Sequence, residues 1–245
     1  MIYFLLIIYS VIFISFIQVA GECFPMKKTF LFRFSECNYC QKKLAFYHII
    51  PICSFLFLGG KSECCGKRIP TTYFLMEIVT PIYIVLLYSQ YAFSYSFSVY
   101  CIIYSFSVYC IIYYFLAFFF ITDIFYMYVP NSILIVFSCA LIILAFLYNQ
   151  PLIDFIYSSM LSCFFYLLFF IFFRKGIGLG DIKILIILSS FLGFKTGYYI
   201  FFLAIILGTI ILFTALLLKR VKKNKQVPFV PYIYASFLVI SILMK

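Results

Sequence analysis

Long uncharged runs separated by short polar stretches set the pattern of this chain. Residues 1–21 carry no charged side chain, and residues 78–122 form an uncharged run of 45. Further runs cover 124–153, 155–173, 184–194, 196–218 and 226–244. A helix needs about 20 apolar residues to cross a bilayer. The first run therefore predicts one helix and the second predicts two. Residues 124–153 predict one more, ending at Asn149-Gln150-Pro151. Residues 184–194 are short, so that helix must draw on its flanks, with Lys183 and Lys195 reaching out to the interface. The remaining runs supply one helix each. The pattern predicts an all-α polytopic membrane protein of about eight transmembrane helices. Its expected organisation is a first helix in 1–25, one polar cysteine-bearing loop in 26–72, and a seven-helix core in 73–245.

Composition supports this class and excludes others. The chain is 67% hydrophobic, 24% aromatic and 10% charged. A soluble domain is about 25% charged. A chain this apolar cannot cover a core with polar surface, and neither disorder nor a coiled coil fits. The N-terminus lacks a charged leader region, so residues 3–24 read as a retained span rather than a cleaved signal.

Charge orients the helices. The net charge is +11, from 18 Lys plus Arg against seven acids. Basic clusters occur at Lys27, Lys28, Arg33, Lys42, Lys43, Lys61, Lys67 and Arg68, and again at 219–225. Such clusters can mark nucleic-acid binding. In a membrane protein they mark cytoplasmic loops, and no nucleic-acid partner is expected. With the N-terminus outside, 26–72, 122–130, 174–183 and 219–227 fall inside. Sixteen of the 18 basic residues then lie inside, leaving only Lys195 and Lys245. The lipid bilayer is thus the first partner.

A nine-residue tandem repeat, YSFSVYCII, spans 95–103 and 104–112. Nine residues are about 2.5 helical turns, so the copies face opposite sides. It reads as a duplication in a lipid-facing region. The Phe and Tyr runs likewise read as lipid-facing bulk. Of the ten cysteines, Cys101, Cys110, Cys139 and Cys163 lie in apolar runs and read as small hydrophobes. Others lie in the basic loop, where a cytoplasmic setting disfavours disulfides and opens metal binding.

The three aspartates carry the candidate chemistry. Asp154 stands at the outer start of a helix, where an acid suits the helix dipole. Asp123 and Asp181 both fall at the cytoplasmic membrane edge, 58 residues apart. Ionisable residues at such positions are functional by default. Asp123 precedes Pro130-Asn131, which fits a helix start. Asp181 follows Gly176, Gly178 and Gly180. Three alternate glycines oppose a stable helix, allow close backbone approach, and leave irregular backbone to line a wet cavity. An extended backbone there suits pairing with a substrate strand. Two carboxylates facing one water share a proton: one takes a proton from water while the other polarises a scissile carbonyl. The alternatives are two unrelated helix-end acids, or a proton relay for transport.

Gly178-Leu179-Gly180-Asp181 with Ile182-Lys183 resembles the GxGD motif of membrane aspartic proteases, and of prepilin peptidases (type IV leader peptidases) in particular. In that family the first catalytic aspartate stands seven residues before a proline, as Asp123 stands before Pro130. Ser15 to Val19, with Gln18 where Asn is usual, and on through Pro25 is similar to the family's N-terminal segment. Ile50-Pro51-Ile52-Cys53-Ser54, Tyr73 through Glu77, and Val227-Pro228-Phe229-Val230-Pro231 match further motifs. The resemblance implies an intramembrane aspartic endopeptidase in the bacterial plasma membrane, with Asp123 and Asp181 catalytic and no cofactor for the cleavage. Its substrates would be prepilins or pseudopilins of type IV pili, protein secretion or competence. Cleavage would occur at the cytoplasmic face, usually after a glycine. Many members also N-methylate the new terminus, with S-adenosylmethionine as donor. Glu77 matches an acid that supports that transfer, or serves as an interfacial helix acid.

The family carries two CxxC pairs, a spacing that suits zinc. Cys37-Asn38-Tyr39-Cys40 supplies the first, and the second reads Ser62-Glu63-Cys64-Cys65. Ser62 stands where the third cysteine is expected. The candidate ligands are Cys37, Cys40, Cys64 and Cys65, although adjacent cysteines do not easily share one metal. The alternatives are a three-cysteine site completed by another group, or reduced thiols without metal. His48, the only histidine, reads as a surface or core residue, and Lys183 as a partner of Asp181 or a snorkelling cation. A proton-coupled transporter using Asp123 and Asp181 as a relay is the alternative function. It should show internal symmetry and midplane breaks, neither of which is visible. A metal-binding scaffold, with dispensable aspartates, rests only on the cysteines.

Overall fold

The computed structural model describes residues 1–28, 36–37, 39–45, 50–92, 99–173, 176–219 and 227–243. His48, Arg33, the basic residues 174–175 and 220–225, residues 95–98 of the repeat and Lys245 lie outside this set. The chain forms two compact units, Met1–Ser94 and Tyr95–Lys245.

In the first unit, α1 (Ile2–Cys23) packs against α3 (Thr71–Ala92), with the short α2 (Cys53–Phe57) between them in sequence. Buried Gln18 fastens the pair by donating from Nε2 to Tyr73 O at 3.0 Å. The rings of Phe55 and Phe74 stack at 4.6 Å and hold α2 against α3. Two isolated antiparallel bridges, Glu36 with Lys43 and Lys61 with Arg68, order the cysteine loop.

The second unit holds α4 (Val99–Tyr126), α5 (Asn131–Leu147), α6 (Leu152–Phe172), α7 (Leu179–Leu192), α8 (Phe194–Leu217) and α9 (Val230–Leu243). Here α4 packs on α5 and α9, α7 on α5, α6 and α8, and α8 on α9. Apolar burial drives helices together weakly in lipid, so close van der Waals contact and buried polar pairs take over. Gly197 lets α8 lie against Ser189 of α7, where any side chain at residue 197 would overlap that hydroxyl. Tyr166 OH and Ser189 Oγ pair at 2.9 Å, and Tyr234 OH donates to Tyr113 OH at 2.7 Å.

The described residues form an all-helical polytopic membrane protein. Five helices are long and apolar enough to cross a membrane: α1, α3, α6, α8 and the Cys101–Tyr126 part of α4. Helices α5 and α9 are shorter and apolar, and α7 has 14 residues. The helices overlap the uncharged runs without matching their ends: α3 takes in Glu77, α4 Asp123, and α7 both Asp181 and Lys183, while Asp154 falls in the first turn of α6 as expected.

Three expectations need correction. The aromatic runs are not only lipid-facing, because Tyr113, Phe119, Phe137, Tyr166 and Phe237 are fully buried. With 35 Phe and 23 Tyr in the chain, aromatic rings share the interior with Ile and Leu. The second repeat copy is likewise part of the packing, since Val108 and Ile112 are buried in the second unit. The glycine stretch does not keep Asp181 in irregular backbone. Helix α7 starts at Leu179 and includes Gly180 and Asp181, so the extended backbone stops at Gly178.

Candidate active site

The second unit brings Asp123 and Asp181 to one cleft of about 370 Å³, shared with Val129, Asn131, Gly178 and Lys183. Asp123 lies in the last turn of α4, because that helix continues to Tyr126 instead of stopping near Thr122. The chain then leaves the helix through Met127, whose φ of 50° is the left-handed cap conformation and whose N–H returns to Asp123 O at 2.9 Å. Pro130, with φ −72° and ψ 123°, caps the start of α5 at Asn131. Four residues thus reverse the chain and leave Val129 facing α7.

Both carboxylates are nearly sealed, at 6% exposure for Asp123 and 8% for Asp181. Each is held by backbone N–H groups at one oxygen. Asp123 Oδ2 accepts from Val230 N–H at 3.0 Å, and the Phe229 N–H also points to that carboxylate. These are unpaired donors at the start of α9. Asp181 is the third residue of α7, and its Oδ2 reaches back to the Gly178 N–H at 3.2 Å. That is the acidic half of a capping box.

The glycines of the motif have separate geometric reasons. A Cβ on residue 178 would stand 3.2 Å from Asp181 Oδ2 and crowd the carboxylate. A Cβ on residue 180 would stand 2.8 Å from Val129 Cβ, closer than carbon atoms pack. Lys183 Nζ donates to Asn131 Oδ1 at 2.8 Å, so it ties α7 to the start of α5 at the cleft. Val129, Asn131 and the Val230 N–H carry parts of this site that the sequence did not single out. The spacing of Pro228 and Pro231 was the available signal for the last, since prolines leave the N–H groups between them as the only local donors.

Glu77 belongs to the first unit. It is 9% exposed, and its Oε2 accepts from Ile52 N–H at 2.7 Å. Ile52 has φ 62° and ψ −55°, and the Cys53 N–H closes a three-residue turn onto Pro51 O at 2.6 Å. A positive φ is costly for a β-branched residue, so the carboxylate braces a strained turn.

The sulfur atoms of Cys37, Cys40, Cys64 and Cys65 all lie within 4.8 Å of one another. Burial raises the Cys37 thiol, but bonds from Ser62, from the Cys40 and Tyr39 backbone and from Cys64 outweigh it and hold it at about 6. Contact with Cys40 pushes Cys64 up to about 12, against the pull of Ser62. Four convergent thiols at this spacing fit a tetrahedral zinc ion.

Two family models match the chain. The Bacterial Peptidase A24 N-terminal domain covers residues 8–91, and the Type IV leader peptidase family covers residues 110–213, which include both aspartates. A prepilin leader peptidase/N-methyltransferase of Bacillus subtilis (strain 168) is 38% identical over 76 residues, 31% of this chain and 31% of that protein. One of Klebsiella pneumoniae is 41% identical over 64 residues, 26% of this chain and 25% of its own length. One of Pectobacterium carotovorum subsp. carotovorum is 39% identical over 46 residues, 19% of this chain and 16% of its own. The matched segments therefore span a third or less of these curated relatives. No solved structure matches.

Proposed function

This chain belongs to the type IV leader peptidase family, and on that premise we propose that it is an intramembrane aspartic endopeptidase for prepilin-like proteins. The observation that carries the proposal is the shared cleft: two sealed carboxylates from α4 and α7, each fixed at one oxygen by backbone N–H groups. Fixed at Oδ2, Asp181 keeps its other oxygen for water or substrate.

The reaction follows from general acid–base chemistry. The ionised carboxylate takes a proton from water as the water oxygen bonds to the scissile carbonyl carbon. The protonated carboxyl gives its proton to the carbonyl oxygen, forming a neutral gem-diol. Proton return to the amide nitrogen breaks the C–N bond and leaves a new carboxyl and a new amine. The burial of both carboxylates strengthens each of these interactions relative to water.

The reading extends to topology and partners. It has eight spans, an outside N-terminus, the loop 26–72 inside, and cleavage by the core 73–245 at the cytoplasmic face of the bacterial plasma membrane. The charge pattern supports it, with sixteen of 18 basic residues inside. The substrates are prepilins or pseudopilins. N-methylation of the new amine is a second activity, for which bound S-adenosylmethionine would supply the methyl group. Glu77 fits that activity as a brace for the Ile52 turn, and no step of the cleavage passes through it. The thiol cluster fits a zinc ion that holds the loop together. The family match supports the peptidase, and no observation favours the transporter.

The test is purified protein in lipid vesicles mixed with a prepilin-like substrate, followed by sequencing of the product's N-terminus. The expected result is a single cut on the leader side of the hydrophobic helix. An intact substrate, with proton flux through the vesicles, would overturn the proposal in favour of transport.

A further inference from the structure

The cysteine loop contains two turns with the same backbone bonds. Cys37 N–H donates to Lys42 O at 2.9 Å, and Cys37 O accepts from Gln41 N–H at 2.9 Å. Ser62 N–H donates to Lys67 O at 2.8 Å, and Ser62 O accepts from Gly66 N–H at 2.7 Å. The fifth residue of each turn has a positive φ, 58° at Gln41 and 68° at Gly66. The turns therefore align Cys37 with Ser62 and Cys40 with Cys65. In the first turn both aligned positions are thiols. In the second, the leading position is a hydroxyl, and the extra thiol of Cys64 stands where the first turn has Tyr39.

The distances show how this departure is accommodated. Zinc–sulfur bonds of about 2.3 Å in a tetrahedron put the sulfurs about 3.8 Å apart. Cys37 Sγ and Cys65 Sγ already stand 3.8 Å apart. Cys40 Sγ and Cys64 Sγ are 3.0 Å apart and would open slightly around an ion. Ser62 is 8% exposed, and its Oγ lies 3.3 Å from Cys37 Sγ and 3.0 Å from Cys64 Sγ. Zinc takes thiolate sulfur far more readily than a neutral hydroxyl. A hydroxyl has one O–H, suited to bonding a ligating sulfur from outside the coordination sphere.

Resting on the reading of this loop as a metal site, we infer that the third zinc ligand has moved two residues along the chain, from position 62 to Cys64. Ser62 has become an outer hydrogen-bond donor whose single O–H serves one of its two neighbouring sulfurs, Cys37 or Cys64. Loading forms four Zn–S bonds and releases the thiol protons to solvent. The resulting centre carries two net negative charges.

The experiment uses the full chain in detergent, with zinc content measured by elemental analysis. Cobalt(II) substitution then counts thiolates through the sulfur-to-cobalt charge-transfer absorption. Wild type should hold one metal per chain. Cys64→Ser should lose about a quarter of the band, one thiolate of four. The double variant Ser62→Cys with Cys64→Ser should restore the band, which separates ligand loss from misfolding. Ser62→Ala should keep the full band and bind metal several-fold more weakly. A full band in Cys64→Ser, or loss of coordination in Ser62→Ala, would overturn the shifted ligand set alone. A wild type that takes up no metal would overturn the metal reading with it, whatever its peptidase activity.

Discussion

Asp123 and Val230 are 107 residues apart in sequence, and the carboxylate of one accepts the backbone N–H of the other at 3.0 Å. The start of α9 thus fixes one proposed catalytic group on α4. Val230 is the first residue of its helix, where a proline's φ is compatible. Measured against Val230→Ala, which keeps the N–H but trims the same buried side chain, Val230→Pro removes that donor. A hydrogen bond to a charged group contributes about 1.5–3 kcal/mol. The proline variant should insert normally and cleave roughly ten- to a hundred-fold more slowly than the alanine one. Equal rates in the two variants would show that the N–H does not position Asp123.

Gly180 and Val129 are matched in the same spirit. A methyl group at 180 meets Val129 Cβ at 2.8 Å, and overpacking of this kind costs about 1–3 kcal/mol. Gly180→Ala should lower both thermal stability and cleavage rate. Adding Val129→Ala should recover most of each. Failure of the second change to rescue the first would mean that Gly180 matters for some reason other than this contact.

Lys183 and Asn131 form an exposed bond at 2.8 Å between α7 and the start of α5. Lys183→Met and Asn131→Ala should each slow cleavage only a few-fold, since a single such bond contributes about 0.5–1.5 kcal/mol. The double variant should be no worse than the poorer single one. Additive losses would place the two residues in separate roles.

Glu77 offers a way to separate the two proposed activities. Its carboxylate braces the strained turn at Ile52 within the first unit, whereas the aspartate cleft lies in the second. Glu77→Ala should leave cleavage near wild type and abolish methylation, read as the mass of the mature substrate. Glu77→Gln keeps an acceptor for the Ile52 N–H and should retain part of the methylation. A loss of cleavage in both would assign Glu77 to the peptidase instead.

The helices were legible because charge is so scarce that the long uncharged runs mark roughly where each lies, though not its ends, since Glu77, Asp123, Asp181 and Lys183 fall inside helices. The two aspartates were legible because so few acids lie near the membrane edge. Other features depend on tertiary contact and left no local signal. Residues 123–126 continue α4 because the left-handed cap falls at Met127, and a methionine does not announce that conformation. The buried tyrosine pair of Tyr113 and Tyr234 looks, in sequence, like any other aromatic in a Phe- and Tyr-rich run. The alternate glycines pointed to close approach, which Gly180 shows, but not to the helix that Asp181 helps start.

The most direct measurement is cleavage of a prepilin-like substrate by membranes carrying wild type, Asp123→Asn or Asp181→Asn. Asparagine preserves size and can still accept the N–H bonds seen at each carboxylate, but it cannot carry the proton. Each single change should abolish cleavage while the protein still inserts at wild-type levels. Normal cleavage by both variants would contradict the account and leave the shared cleft as a structural feature.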